Sequence, residues 1–261
     1  MRIVIKIGTS SLTHATGKLN LRRIDELARV ISDLKNAGHE ILLVSSGAIA
    51  MGVSKLKLPS RPSDVPTKQA AAAVGQCELM YIYDRMFLQY GQTVAQILLT
   101  LDTVDYPDRR ANTENTLFRL LEMGVIPIIN ENDTVSTEEF SVGDNDTLGA
   151  KIACLVGADL LVILSDIDGL YSSDPHLNGN AVLISSVREI TDEIKSLAGG
   201  AGTPLGTGGM ETKIRAAETV TALGCDLVIA NGGNPSVLYD IEAGKPVGTR
   251  FFGRKRNERD L

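Results

Sequence analysis

Six short runs of this chain are predominantly apolar: residues 3–7, 41–45, 94–99, 125–129, 160–164 and 227–230, rich in Ile, Val and Leu. A strand that alternates apolar and polar residues can leave one face in water, whereas a strand apolar throughout must be covered on both faces. Amphipathic stretches separate the runs. In the first of these, Leu21, Ile24, Leu27, Ala28, Ile31 and Leu34 recur at helical spacing, and Gly38 follows as a left-handed stop. Further helices are predicted over 68–90, up to Gly124, over 146–157 and over 211–224. Strand and helix in alternation specify an α/β chain, a single-domain α/β/α sandwich around a mainly parallel, open, doubly wound sheet. Ligands of such sheets bind beyond the carboxyl ends of the strands.

Composition narrows the partners. With 261 residues, 43% of them hydrophobic and 22% charged, the chain can bury a full core. A formal net charge of -6 disfavours general binding to nucleic acid or to an anionic membrane, both of which need a basic face. Cys77, Cys154 and Cys225 are far apart and form no disulfide or zinc pattern, so they are expected as buried small hydrophobes in a reducing cytoplasm. No apolar run approaches membrane-spanning length, and Lys6 interrupts the apolar start, unlike a signal peptide.

Polar residues collect where the predicted strands end: Lys6-Ile7-Gly8-Thr9-Ser10, Ser45-Ser46-Gly47-Ala48, Asn130-Glu131-Asn132-Asp133 and Ser165-Asp166. They are expected to converge on one sheet edge. Two lysines, Lys6 and Lys213, each lie beside a glycine-rich segment, the second being Gly206-Thr207-Gly208-Gly209-Met210-Glu211-Thr212-Lys213. Glycine loops let backbone N–H groups approach a phosphate, a following helix adds its positive end, and lysine supplies a point charge. Between them lies the acidic Gly143-Asp144-Asn145-Asp146 segment, so the pattern suggests a phosphoryl-transfer site drawn from distant parts of the chain. Asp146 is the candidate organiser of both lysines, with a carboxyl held low by them. Asp133, Asn145 and Asp144 offer further acceptors beside it, and Gly8, Ser46, Gly47 and Ala48 offer hydroxyl and backbone donors. Simpler roles also fit: Asp144 and Asp146 as helix caps, Asn132-Asp133-Thr134 and Asp166-Ile167-Asp168-Gly169 as turns. His14, His39 and His176 have no spaced partners. Tyr81 and Tyr83, with Met80 and Met86, belong to a core or subunit-facing helix.

No G-x-x-x-x-G-K-[ST] element occurs, and Glu211 breaks a G-x-G-x-x-G register at Gly206. Taken together, Val4-Ile5-Lys6-Ile7-Gly8-Thr9-Ser10, Ser45-Ser46-Gly47-Ala48-Ile49-Ala50, Ile129-Asn130-Glu131-Asn132-Asp133, Val142-Gly143-Asp144-Asn145-Asp146 and the Gly206 to Lys213 segment resemble the amino acid kinase family. Within it they are most similar to the members that phosphorylate the side-chain carboxylate of glutamate at the start of proline synthesis. The resemblance implies that fold, ATP and Mg2+ as reactants, and Lys6 and Lys213 stabilising the transferring phosphoryl group. It assigns Ser46, Asp133 and Asn145 to glutamate, and Ser165, Asp166 and residues 207–213 (Thr207, Gly208, Gly209, Met210, Glu211, Thr212, Lys213) to ATP. Magnesium would be held by phosphate oxygens and water, with no protein ligand cage. Proline as feedback inhibitor and a homodimer or homotetramer are further implications. A catalytic domain over 1–252 is expected, its N-terminal part for glutamate and its C-terminal part for ATP. The basic tail 253–261 is too short for the C-terminal PUA domain that many such members carry.

Overall fold

A computed structural model of the chain describes residues 1–14, 16–135, 145–175, 177–198 and 209–254. The chain opens with strand β1 (Arg2–Ile7), helical turn α1 (Thr9–Leu12) and helix α2 (Leu21–Asn36). Strand β2 (Glu40–Ser45), helices α3 (Ala48–Lys55) and α4 (Val65–Leu88), and strand β3 (Val94–Leu99) follow. A 3-10 turn (Leu101–Asp105) leads into α5 (Pro107–Glu122), β4 (Ile126–Glu131), α6 (Asn145–Leu155) and β5 (Leu160–Ser165). The remainder is β6 (Ser186–Val187), α7 (Asp192–Ser196), α8 (Met210–Thr221), β7 (Asp226–Asn231), α9 (Val237–Glu242) and β8 (Thr249–Phe251).

The strands form one sheet in the order β3-β4-β2-β1-β5-β7-β8-β6. Every pairing is parallel except β7 with β8. All six predicted apolar runs are strands of this sheet, the four inner ones buried nearly end to end. Successive side chains alternate faces, so Ile3, Ile5 and Ile7 pack with Ile24, Leu27, Leu79 and Phe87 of α2 and α4. Val4 lies on the opposite face, with Ile152, Ile214 and Ala217 of α6 and α8. Lys6 shares the parity of Val4, which directs its side chain toward α6 and α8.

The first helix runs as its apolar period requires, and Gly38 stops it at φ +95°. Strands β6 and β8 were not apparent from apolar runs because each is very short; they complete one edge, where β8 turns antiparallel to β7. Helices α1 and α3 are not among the predicted helices, since four and eight residues give little periodicity to detect. The cysteine expectation fails at Cys77, which is exposed, and Cys154 is only partly covered; Cys225 alone is buried. The inward face of α4 passes through Ala72, Gly75, Gln76, Leu79 and Tyr83, leaving Cys77 turned outward. Tyr83 is core, whereas Tyr81 is exposed. No helix among the described residues is long and apolar enough to cross a membrane.

Candidate active site

The ends of the central strands do converge. Ile7 pairs with Ser45 across β1 and β2, Ser46 N–H donates to Ile7 C=O at 3.2 Å, and Gly8 N–H donates to Leu164 C=O at 3.1 Å. Beyond them, α6 presents consecutive residues in two directions. Asp146 looks toward the lysines, and Asn145 toward an open pocket.

The Asp146 carboxylate bridges both lysines: Oδ1 is 2.7 Å from Lys6 Nζ and Oδ2 is 3.1 Å from Lys213 Nζ. Thr212 Oγ1 also donates to Oδ2, at 2.8 Å. Three features assemble this cluster from distant positions. The pleat of β1 aims Lys6 at α6, its stem lies against Gly149 of that helix, and α8 packs beside α6 with Thr212 and Lys213 in its first turn. All three charged groups are buried: Lys6 is 7% exposed, Lys213 3% and Asp146 1%. Burial alone would push the Asp146 carboxyl up. The two ammonium groups and the hydrogen bonds from Lys6 and Thr212 outweigh it and hold the group below the usual carboxylate range. Such a group stabilises the fold above the ordinary carboxylate value and loses that contribution as pH falls below it. Two ammonium groups around one carboxylate, among the described residues, suit a site that receives an anion.

The neighbouring pocket has a volume of about 510 Å³. Its walls include Thr9 and Ser10 of α1, Ser46 to Ala48 at the start of α3, Asn130, Glu131 and Asp133 after β4, and Asn145. Gly47 has φ +107°, a left-handed conformation in which a side chain would be strained, and it serves as the N-cap of α3. Asn145 Nδ2 donates to Ser45 C=O at 2.8 Å, to Ser46 Oγ at 2.9 Å and to Asn130 Oδ1 at 2.9 Å. Its Oδ1 is buried with no hydrogen-bond partner among the described residues, an acceptor open to an incoming ammonium. Asp133 is pushed up to about 6 by burial and by the neighbouring Glu131 carboxylate, against a smaller pull down from Arg61. Gly8 caps α1 next to this pocket, its α-carbon side facing Lys6 Nζ.

Ser165, at the end of β5, donates from Oγ to Asp166 Oδ1 at 3.1 Å, and Gly232 N–H donates to Ser165 C=O at 2.7 Å. Gly209 caps α8 without any side-chain bond, which leaves the helix N–H groups at Met210 and Glu211 uncovered by a cap. The Glu211 carboxylate is engaged with Arg215 one turn on, so only its backbone faces the helix start. Asp168 accepts from Tyr171 Oη and Asn231 Nδ2, the turn-like role also foreseen for it. Asp144, Thr207 and Gly208 lie outside the described residues, as do His176 and most of residues 134–143, where the sequence suggests a hairpin or lid. Among the described residues no group of three or more His, Cys, Asp or Glu is arranged to hold a metal ion. Thr9, Ser10 and Asn130 were foreseen only as polar strand ends converging on this edge, without a role of their own, and Arg61 was not foreseen because it sits in a proline-containing loop with nothing to mark it.

The family profile described as "Amino acid kinase family" matches residues 1–231. The chain belongs to the amino acid kinase family. Among curated relatives, glutamate 5-kinase of Listeria welshimeri is 53% identical over 97% of this chain and 94% of its own length. Glutamate 5-kinase of Clostridium perfringens is 52% identical over 97% and 96%, and that of Clostridium acetobutylicum 52% over 98% and 96%. Solved structures share the fold at low identity. Carbamate kinase from Giardia lamblia bound to AMP-PNP superimposes with a TM-score of 0.70 at 16% identity, over 96% of this chain and 98% of that one. UMP kinase from Bacillus anthracis gives 0.66 at 16%, over 97% and 96%.

Proposed function

We propose that this chain transfers the γ-phosphoryl group of ATP to the γ-carboxylate of L-glutamate, forming L-glutamyl 5-phosphate and ADP, the first step of proline synthesis. The observation that carries it is the buried Lys6–Asp146–Lys213 cluster one residue away from Asn145 in the pocket wall. Both reactants are anions, so catalysis consists of holding them in line and offsetting their repulsion. The γ-carboxylate is already ionised at neutral pH and attacks without losing a proton, so no general base is needed. Lys6 would contact the travelling phosphoryl group, and Lys213 the charge that builds toward the leaving phosphate. Asp146 keeps both ammonium groups in place without touching substrate.

Asp133 and Asn145 Oδ1 would accept from the α-ammonium of glutamate, with Ser46 and the backbone at Gly8, Gly47 and Ala48 donating to carboxylate oxygens. Asp144 would join them. ATP would lie against Ser165, Asp166 and the start of α8 over residues 207–213, with magnesium carried on its phosphates. Residues 1–252 would act as one catalytic domain, glutamate on the N-terminal side and ATP on the C-terminal side. Work in the cytoplasm, inhibition by proline and a homodimeric or homotetrameric assembly complete the proposal.

The test is direct. Incubation with ATP, magnesium, glutamate and hydroxylamine should trap γ-glutamyl phosphate as its hydroxamate. Product no greater than a boiled control rejects the proposal. N-acetylglutamate, carbamate and a nucleoside monophosphate offered under the same conditions should be poor acceptors, because Asp133 calls for a free amine; aspartate has that amine, but its side chain is one methylene shorter and should fall short of the phosphoryl group.

A further inference from the structure

Beneath the amino acid pocket runs a chain of three buried carboxamides, Gln76, Asn130 and Asn145, exposed by 8%, 3% and 4%. The backbone fixes its direction at both ends. Glu131 N–H can only donate, and it lies 2.9 Å from Asn130 Oδ1, so that end of Asn130 must be oxygen. Asn130 Nδ2 is thereby turned away and donates to Gln76 Oε1 at 2.9 Å, which requires Gln76 to present its oxygen. At the far end Ser45 C=O can only accept, so the Asn145 atom 2.8 Å from it is nitrogen. The Asn145 oxygen is therefore the atom left over for a ligand.

The weak link is the middle. Asn145 Nδ2 has two hydrogens for three acceptors, and its grip depends on Asn130 Oδ1 staying where it is. Asn130 in turn is held at its oxygen by Glu131 N–H and at its nitrogen by Gln76, which supplies the side-chain half of that grip. Gln76 does not line the amino acid pocket. It is delivered from α4 by the contact of its neighbour Gly75 with α3, where an added Cβ would lie 1.8 Å from Ala48 C=O.

We propose that Gln76 is a positioning residue for the amino acid substrate, acting through Asn130 to hold Asn145 with its oxygen toward the ammonium. This rests on the glutamate-phosphorylating function proposed above. Gln76→Met keeps side-chain volume and removes the acceptor, so Asn130 Nδ2 is left buried and unpaired and gains reason to rotate. KM for glutamate should rise roughly fivefold or more, the consequence of one weakened hydrogen-bonded contact, while KM for ATP and kcat at saturating glutamate stay within about twofold. Asn130→Ala should raise KM for glutamate as well, and adding Gln76→Met to it should change nothing further, since the route is already cut. Unchanged glutamate KM, parallel losses for ATP, or additive effects in the double variant overturn the proposal. Should Gln76→Met not fold, Gln76→Glu serves instead: buried here it takes up a proton and keeps a carbonyl oxygen toward Asn130. Glutamate KM within about threefold of the parent is expected, and a rise as large as that of Asn130→Ala overturns the role. Hydroxamate formation by the unsubstituted protein is measured alongside. Its absence rejects the function itself, whereas product with the wrong KM pattern rejects only the role of Gln76.

Discussion

At the scale of single residues, two aspartates close together are set to opposite ends of the carboxylate range. Asp146 is nearly inaccessible yet held low, because Lys6 and Lys213 reach it from either side. Asp133 is less deeply buried but faces Glu131, and among the described residues Arg61 offsets part of the combined effect, which leaves it at about 6. The difference has a kinetic consequence. In the proposed function ionised Asp133 holds the substrate ammonium, so kcat/KM for glutamate should level off above about pH 6 and approach a tenfold fall per unit below it. Asp133→Asn should lower kcat/KM and abolish that break; a break that persists in the variant assigns the titration elsewhere. Asp146 would not contribute in this window, since its shift carries it further from neutrality. Removing its charge while leaving both lysines buried would cost on the order of 3–5 kcal/mol, the penalty for a broken buried pair.

At the scale of elements, the approach of α3 to α4 decides where the pocket wall stands. Gly52 and Gly75 meet the facing backbone so closely that a Cβ on either would come within 1.8 Å of a carbonyl oxygen. Alanine at Gly75 would gain about 0.5–1 kcal/mol of helix propensity. Against that, overpacking costs about 1–3 kcal/mol, so the clash should win. Gly75→Ala is expected to lower Tm by a few degrees and to raise KM for glutamate, because Gly47 and Ala48 move with α3. An unaltered Tm would show that the helices can part freely. This contact was not visible in the amino-acid sequence, where glycines inside a helical stretch carry no sign of what they face. The predominantly apolar runs were visible, since a parallel sheet covered on both sides demands them. Short elements such as α1, β6 and β8 were not, because their placement is set by neighbours rather than by their own periodicity.

At the scale of the whole molecule, β1 sits at the junction of two halves, paired on one side with β2 and on the other with β5. The strands on one side, β2, β4 and β3, lead to the pocket that holds Ser46 and Asp133; those on the other lead to Ser165 and the start of α8. Neither half holds both lysines. The Lys6–Asp146–Lys213 cluster exists only when β1, α6 and α8 come together, which explains why its members are separated by most of the chain. Lys6 and Lys213 were recognisable from their glycine-rich settings, and Asp146 from its acidic segment. The hydroxyl of Thr212 on Asp146 and the carboxamides behind Asn145 were not, since each is defined by a partner remote in sequence.

Steady-state kinetics of Lys213→Ala, set against the unsubstituted protein, tests most directly whether the two ammonium groups serve one phosphoryl group. A lysine acting on charge that develops only during transfer should cost about 10²–10³-fold in kcat and leave KM for glutamate within a few-fold. Equal losses in turnover and in glutamate affinity would contradict it.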